Sequence, residues 1–236
     1  MANLLLVRHG RTTANTGGVL AGWTPGVGLD DTGRAQALAL ATRMAPVPLA
    51  RAVRSPLQRC QETVEVLLSG RPEVGVEVDD RLGECHYGDW EGRKLSELSR
   101  EPMWRVVQQH PSAAVFPNGE SLRETQARAV AAVRQIDAEV EAAHGPDAFW
   151  LACSHGDVIK AITADALGMH LDGFQRITVD PSSVTVLRYT PLRPFAVRVN
   201  DTGGDLAALV PAKRRRRRPT RRAAADADAA VGGGAG

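Results

Sequence analysis

Near its N-terminus the chain reads LLLVRHG over residues 4–10: four apolar residues that stop at an arginine, a histidine and a glycine. A short apolar run ended by glycine favours a buried strand whose last residues pass into a loop. In open α/β sheets, ligands bind at the carboxyl ends of the strands. Arg8 and His9 are therefore candidates for an anion site, although polar residues that merely face water at a strand end have the same pattern.

The rest of the chain alternates strand and helix patterns. Short apolar segments predict strands over residues 49–53, 74–78, 148–153, 184–187 and 196–199, and helical spacing predicts helices over 33–45, 56–69, 122–144 and 158–167. Ser55 is read as the cap of the second helix, and residues 93–110 look helical with an interruption at Pro102. Strands alternating with helices predict an α/β fold, a three-layer α/β/α sandwich around a largely parallel sheet.

Composition predicts one domain over residues 1–211. The 236-residue chain is 43% hydrophobic, and it has neither an apolar run that could span a membrane nor a signal-peptide pattern at its start. Its three cysteines are odd in number and widely spaced, which favours a cytoplasmic location over a disulfide framework. No two of them have metal-ligand spacing, so no metal or other cofactor is expected.

The net charge of +2 hides a basic tail. Eight of the 29 basic residues lie in residues 213–222, and without the tail the body of the chain carries about −4. Residues 212–236 are Arg-rich and then Ala- and Gly-rich, so they cannot bury a core and are predicted to be disordered. The Arg run could attract nucleic acid, but no aromatic residue is interleaved for base stacking, and a dispensable extension is the favoured interpretation.

Polar residues of one kind follow three of the predicted strands. Arg8 and His9 follow the first, Arg59 lies just beyond the second, and His155 follows a later one. Because the carboxyl ends of parallel strands meet at one edge of a sheet, these side chains are expected to lie together. Glu84, on the loop after another strand, can join them.

This set of side chains suits phosphoryl transfer. Two guanidinium groups match the oxygens of a phosphoryl group, and His155 precedes a helix whose first amides attract an anion. The nearby cations disfavour imidazolium, so one imidazole stays neutral and nucleophilic, while Glu84 can protonate the leaving oxygen and later deprotonate water. These arguments leave open which histidine attacks, and Asp157 and Glu91 are alternatives for the acid.

Four motifs then occur in a fixed order. They are Arg8-His9-Gly10 with Thr12 and Asn15, Ser55-x-Leu57-x-Arg59-x-x-x-Thr63, Glu84 before Tyr87-Gly88-Asp89-Trp90-Glu91-Gly92, and Ser154-His155-Gly156. In this order they resemble the histidine phosphatase superfamily, the phosphoglycerate mutase-like clan, over roughly residues 3–200. Gly22-Trp23 adds to the resemblance.

The resemblance implies a role for each matching residue. His9 is the nucleophile that becomes phosphohistidine, Glu84 is the proton donor, and Arg8, Arg59 and His155 hold the phosphoryl group. Asn15 lines the pocket, and the remaining expected substrate contacts are Thr12, Gly22, Tyr87 and Gly156. The expected partner is a small phosphorylated substrate; no membrane or nucleic-acid partner is expected, and a homodimer is left open.

Within that superfamily the sequence favours a phosphatase over a phosphomutase. The segment between Gly92 and Ser121 is short, and only Arg100 and Arg105 in it could bind a second phosphate. Gly22-Trp23 and His86-Tyr87-Gly88 are nevertheless mutase-like, so a phosphomutase remains the alternative. A phospho-ligand-binding protein with a nucleic-acid-binding tail would lack a catalytic residue, and none is missing.

Overall fold

One mixed sheet forms the centre of the computed structural model, which describes residues 2–203. Its six strands in this part of the chain are β1 (Asn3–Arg8), β2 (Leu49–Arg54), β3 (Val76–Val78), β4 (Phe149–Ser154), β5 (Val184–Arg188) and β6 (Phe195–Asp201). They are ordered β3-β2-β4-β1-β5-β6. Neighbours from β3 to β1 pair in parallel, and β5 runs antiparallel to both β1 and β6. The predicted largely parallel sheet is confirmed.

Helices cover both faces of this sheet. They are α1 (Thr13–Thr16), α2 (Asp31–Met44), α3 (Gln58–Leu67), α4 (Leu95–Leu98), α5 (Pro102–Gln109), α6 (Leu122–His144) and α7 (Gly156–Ala166). Alternate residues of β1 enter two separate cores: Leu4 and Leu6 pack with α6 and α7, whereas Leu5 and Val7 pack with α2 and α3. The three-layer α/β/α prediction is therefore confirmed.

Two helices begin at residues other than those predicted from the sequence, 33 and 56. Helix α2 begins at Asp31, because the Asp30 carboxylate accepts a hydrogen bond from the Gly33 amide at 2.7 Å. Helix α3 begins at Gln58, so the prediction that Ser55 caps it is wrong. Helix α5 begins at Pro102, which agrees with the predicted interruption of the helical segment over residues 93–110.

The ends of the chain lie outside the described part. The predicted domain limit at residue 211 and the predicted disordered tail over residues 212–236 both fall beyond residue 203, and they stay predictions. Within residues 2–203, no helix combines the length and the apolar character needed to cross a bilayer.

Candidate active site

The three strands predicted to deliver polar residues end at the same level of the sheet. Arg8 of β1 lies opposite Ser154 of β4, and Arg54 of β2 lies opposite Cys153. The turns after these strands therefore meet at one edge. Parallel pairing of β1, β2 and β4 is the reason that residues far apart in sequence share a site.

A small cavity opens to solvent at this edge. Its lining residues are His9, Thr12, Asn15, Val19, Leu20, Ala21, Gly22, Arg59, Glu84 and Tyr87. Seven of the residues predicted from the sequence are thus brought together. The other three, Arg8, His155 and Gly156, are buried and are not among the residues that line the cavity.

The His9 ring is fixed in one tautomer. Its Nδ1–H donates a hydrogen bond to the Gly10 carbonyl at 2.8 Å, so Nε2 carries the lone pair of the neutral ring. Burial lowers the pKa of His9 well below its usual value, and the positive charges of Arg59 and Arg8 lower it further. His9 is therefore a neutral imidazole with an unprotonated Nε2 at the cavity.

Contacts with α2 and α3 hold the turn that carries His9. The Gly10 amide donates to the Thr63 hydroxyl at 3.0 Å, and that hydroxyl donates to the Arg59 carbonyl at 2.6 Å. A side chain at residue 10 would meet the Gly33 carbonyl oxygen at 2.6 Å, so glycine is required by close packing. The positions of His9 and Arg59 are thereby coupled through one threonine.

His155 is held through its other nitrogen. Its Nε2 lies 2.7 Å from the Ser55 hydroxyl oxygen and 3.5 Å from the Cys60 sulfur, while its Nδ1 lies 4.0 Å from Glu84 Oε2. Burial lowers the pKa of His155 well below its usual value, with Arg59, His9 and Arg8 adding to the effect. Its ring centroid is 5.3 Å from that of His9.

The two arginines occupy different depths. Arg59 lines the cavity, where its Nη2 donates to the Gly22 carbonyl at 2.8 Å. Arg8 is fully buried, and its Nη1 donates to the Val179 carbonyl at 2.7 Å. Burial lowers the pKa of Arg8 to about 10, which still leaves the guanidinium charged at neutral pH. Together they create a positive field around His9.

Glu84 is the carboxyl group that reaches the cavity. Its Oε1 accepts a hydrogen bond from the Cys85 amide at 3.1 Å. Burial and the nearby Asp157 charge raise the pKa of Glu84 to about 7, against the opposing effects of Arg59, that amide and Arg8. A carboxyl group with this pKa can both give and take a proton near neutral pH. The alternatives, Asp157 and Glu91, do not line the cavity.

The loop that carries Glu84 is held by its backbone. The Glu84 carbonyl accepts hydrogen bonds from Trp23 Nε1 at 2.7 Å and from Arg128 Nη2 at 2.9 Å, and Arg128 Nη1 also donates to the Gly83 carbonyl at 2.8 Å. Arg128 is itself paired with Glu120. These contacts fix the loop from α6 and from the segment after β1.

Thr12 and Asn15 form a rigid wall of the cavity. The backbone N–H of Asn15 donates to the Thr12 hydroxyl at 3.2 Å, and the side-chain Oδ1 of Asn15 accepts from the backbone N–H of Thr12 at 3.0 Å. This reciprocal cap begins the single-turn helix α1. Both side chains therefore face the cavity from a fixed backbone.

Sequence reasoning missed the supporting contacts. A serine before a proline is a strong local signal for a helix cap, yet the Ser55 hydroxyl holds His155. No local sequence pattern indicates the role of Arg128, because the loop residues that it contacts near Glu84 lie 44 or more positions away in the sequence. The Trp23 bond to Glu84 is equally non-local.

Comparisons with known proteins agree with this geometry. A family model described as histidine phosphatase superfamily (branch 1) matches residues 4–202. The chain is 31% identical to 2,3-bisphosphoglycerate-dependent phosphoglycerate mutase 2 of Gloeobacter violaceus, over 76% of this chain and 82% of that protein. It is 32% identical to glucosyl-3-phosphoglycerate phosphatase of Mycolicibacterium vanbaalenii, over 72% of this chain and 76% of that protein.

A solved structure extends the likeness to the fold. The structure of Bacillus stearothermophilus YhfR superposes with a TM-score of 0.77 at 30% identity, covering 85% of this chain and 98% of that chain. The family model covers nearly all of the described residues, including every strand of the sheet and each turn that lines the cavity. The chain belongs to the histidine phosphatase superfamily.

Proposed function

We propose that this protein hydrolyses small phosphomonoesters through a phosphohistidine on His9. The observation that carries the proposal is the His9 ring, which is neutral, lines the cavity and has its Nδ1–H bonded to the Gly10 carbonyl. A neutral imidazole with a free lone pair on Nε2 is the nucleophile that this reaction needs.

The reaction proceeds in two steps. In the first, His9 Nε2 attacks phosphorus, the bond to the ester oxygen breaks, and Glu84 gives its proton to the departing alkoxide. In the second, Glu84 takes a proton from water as the water oxygen attacks phosphorus, and the bond from phosphorus to Nε2 breaks to release inorganic phosphate. Arg59 binds the equatorial oxygens, and the buried charge of Arg8 adds to the positive field.

Two features support hydrolysis over phosphate transfer to a second site. Arg100 and Arg105 are both exposed, and Arg105 Nε donates to Gln109 at 3.1 Å. Neither lines the cavity, where Arg59 supplies the cationic side chain. One relative is named a phosphoglycerate mutase and another a glucosyl-3-phosphoglycerate phosphatase, so the names of the relatives do not decide between the two activities. Because Arg59 is the cationic side chain that lines the cavity, the cavity suits a substrate with a single phosphate.

The remaining proposals concern the setting of the enzyme. Cys60, Cys85 and Cys153 are free, buried thiols, which supports a cytoplasmic location. The partner is a small phosphorylated metabolite, with no role for nucleic acid in turnover, and the catalytic domain ends near residue 211.

The test is a screen of phosphorylated metabolites combined with trapping of the phosphoenzyme. Rapid quenching in base, which preserves phosphohistidine, should reveal acid-labile phosphate on the peptide that contains His9, with release of inorganic phosphate. Turnover without a phosphoenzyme would contradict the proposal. Transfer of label from the enzyme to a second phosphorylated acceptor, in place of release to water, would establish the phosphomutase instead.

A further inference from the structure

A buried carboxylate, Asp157, lies beside the site and has no part in the steps above. It belongs to the first turn of α7, two residues after His155, and only 1% of it is exposed. Its Oδ2 accepts a hydrogen bond from the Tyr87 hydroxyl at 2.8 Å, and its Oδ1 lies 3.7 Å from Lys160 Nζ. The side chain is thus fixed by two elements.

Lys160 is buried as deeply as its partner. Its Nζ donates to Gln175 Oε1 at 3.1 Å and lies 5.8 Å from the centre of the Phe174 ring. Removing both charges from water is costly, and replacing such a pair with apolar residues often leaves stability unchanged or improved. Stability is therefore a weak explanation for this pair, and a role in the chemistry of the site is the stronger one.

Tyr87 connects Asp157 to the cavity. Tyr87 lines the cavity together with Glu84, three residues earlier in the loop, and its ring packs edge-on against Phe116. Glu84 Oε2 in turn lies 4.0 Å from His155, which directly precedes the first turn of α7. Glu84 and Asp157 are thus both buried and belong to one cluster.

We propose that Asp157 is a positioning residue whose negative charge keeps Glu84 protonated until the leaving oxygen needs the proton. Lys160 and Tyr87 hold that charge in place. This inference rests on the proposed function, because it requires Glu84 to be the acid. Neither Asp157 nor Lys160 lines the cavity.

The charged groups that face Glu84 come from several elements. Arg8 at the end of β1 and Arg59 on α3 favour the carboxylate form, whereas Asp157 on α7 favours the protonated form, as does burial. Lys160, also on α7, feels the charge of Glu84, while Arg128 on α6 contacts the Glu84 carbonyl oxygen. His9 and His155 are neutral neighbours because burial and the arginines lower their pKa values. Asp157 is thus the charge that opposes the cations.

The test is the pH profile of kcat/KM for an alkyl phosphate, whose poor leaving group needs the acid. In the wild type the rate should fall above about pH 7, as Glu84 loses its proton. In Asp157→Asn this upper limb should move to lower pH by about one unit, because the opposing charge is gone. The matched control, Asp165→Asn, removes one carboxylate from the same helix, where it pairs with exposed Arg134, and should leave the limb in place.

Two further variants keep the proposal falsifiable. Lys160→Met removes a cation from the cluster, so the limb should move to higher pH; adding Asp157→Asn to this variant, which leaves no unpaired buried charge, should move the limb back to lower pH and decides the matter if Asp157→Asn alone does not fold. An unmoved limb in folded Asp157→Asn, or a limb in the double variant no lower than in Lys160→Met, overturns the role of Asp157. If Glu84→Gln retains the wild-type limb, the proposed function itself fails, which separates the two outcomes.

Discussion

β1 and β4 are neighbouring strands, and the turn that follows each of them carries a buried histidine. Both histidines lie beside the same two arginines, Arg8 and Arg59. The pKa of each ring is lowered well below its usual value for the same reasons, burial first and the arginine charges second. The rings differ in the nitrogen that is held: Nδ1 of His9 by the Gly10 carbonyl, and Nε2 of His155 by Ser55. Residue type and environment therefore do not distinguish the two histidines as nucleophiles, and our proposal of His9 rests on a single hydrogen bond, from His9 Nδ1 to the Gly10 carbonyl.

The sharpest way to break this comparison is to remove each histidine in turn. We expect His9→Ala to lower kcat/KM by about 10⁴-fold or more, because the attacking atom is lost. If His155 helps to hold the phosphoryl group, as the family resemblance implies, His155→Ala should cost about 10²- to 10³-fold, the usual effect of removing a group that stabilises the transition state. Steady-state hydrolysis and base-quenched phosphoenzyme trapping measure both.

The trapping result distinguishes the two roles. Phosphohistidine should still form in His155→Ala and be absent from His9→Ala. His144→Ala, at the exposed end of α6, is the control and should match the wild type. A phosphoenzyme in His9→Ala, or its loss from His155→Ala alone, would reverse the assignment.

The carboxyl group of Glu84 lies close to His155. A Glu84 variant therefore tests how much a proton donor on the His155 side of the site contributes to the rate. We expect Glu84→Gln to lower kcat/KM for an alkyl phosphate by about 10³-fold, within the range of general acid–base catalysis. The pKa of Glu84 is raised to about 7, so the acid is present below that pH and is lost as the pH rises through it. The variant should therefore lack the fall in rate above pH 7.

Hydrolysis of an activated aryl phosphate is the second measurement on Glu84→Gln. Its leaving group departs without a proton, so the loss in rate should be much smaller than with the alkyl ester. Exposed Glu97→Gln on α4 is the control. Equal losses on both esters would show that Glu84 does not protonate the leaving group.

Ser55→Ala has the smallest expected effect, because it frees the ring of His155 without removing it. A neutral hydrogen bond contributes about 1 kcal/mol, so we expect kcat/KM to fall by about 5- to 10-fold. Ser69→Ala, whose hydroxyl bonds the Val66 carbonyl just beyond α3, controls for the loss of a serine. A loss as large as that of His155→Ala would mean that Ser55 contacts the substrate itself.

The residues at the strand ends were predictable from the sequence, whereas the contacts that assign their roles were not. Parallel strands bring their carboxyl ends together, so His9, Arg59 and His155 could be placed at one edge from strand order alone. The bond from Ser55 to His155 spans 100 residues, and a local capping pattern hid it. The preferred tautomer of each histidine depends on such contacts and so lies beyond sequence patterns.

The pairing of β1 with β4 also has a consequence for synthesis of the chain. Residues 3–8 are synthesised before their partners: residues 149–154, on one side, follow more than 140 residues later, and β5, on the other side, comes later still. The apolar strand that precedes His9 therefore remains unpaired while the intervening residues are made, the stage at which unpaired strands are prone to aggregate. The strand end that carries His9 is thus made long before the strands that complete the site.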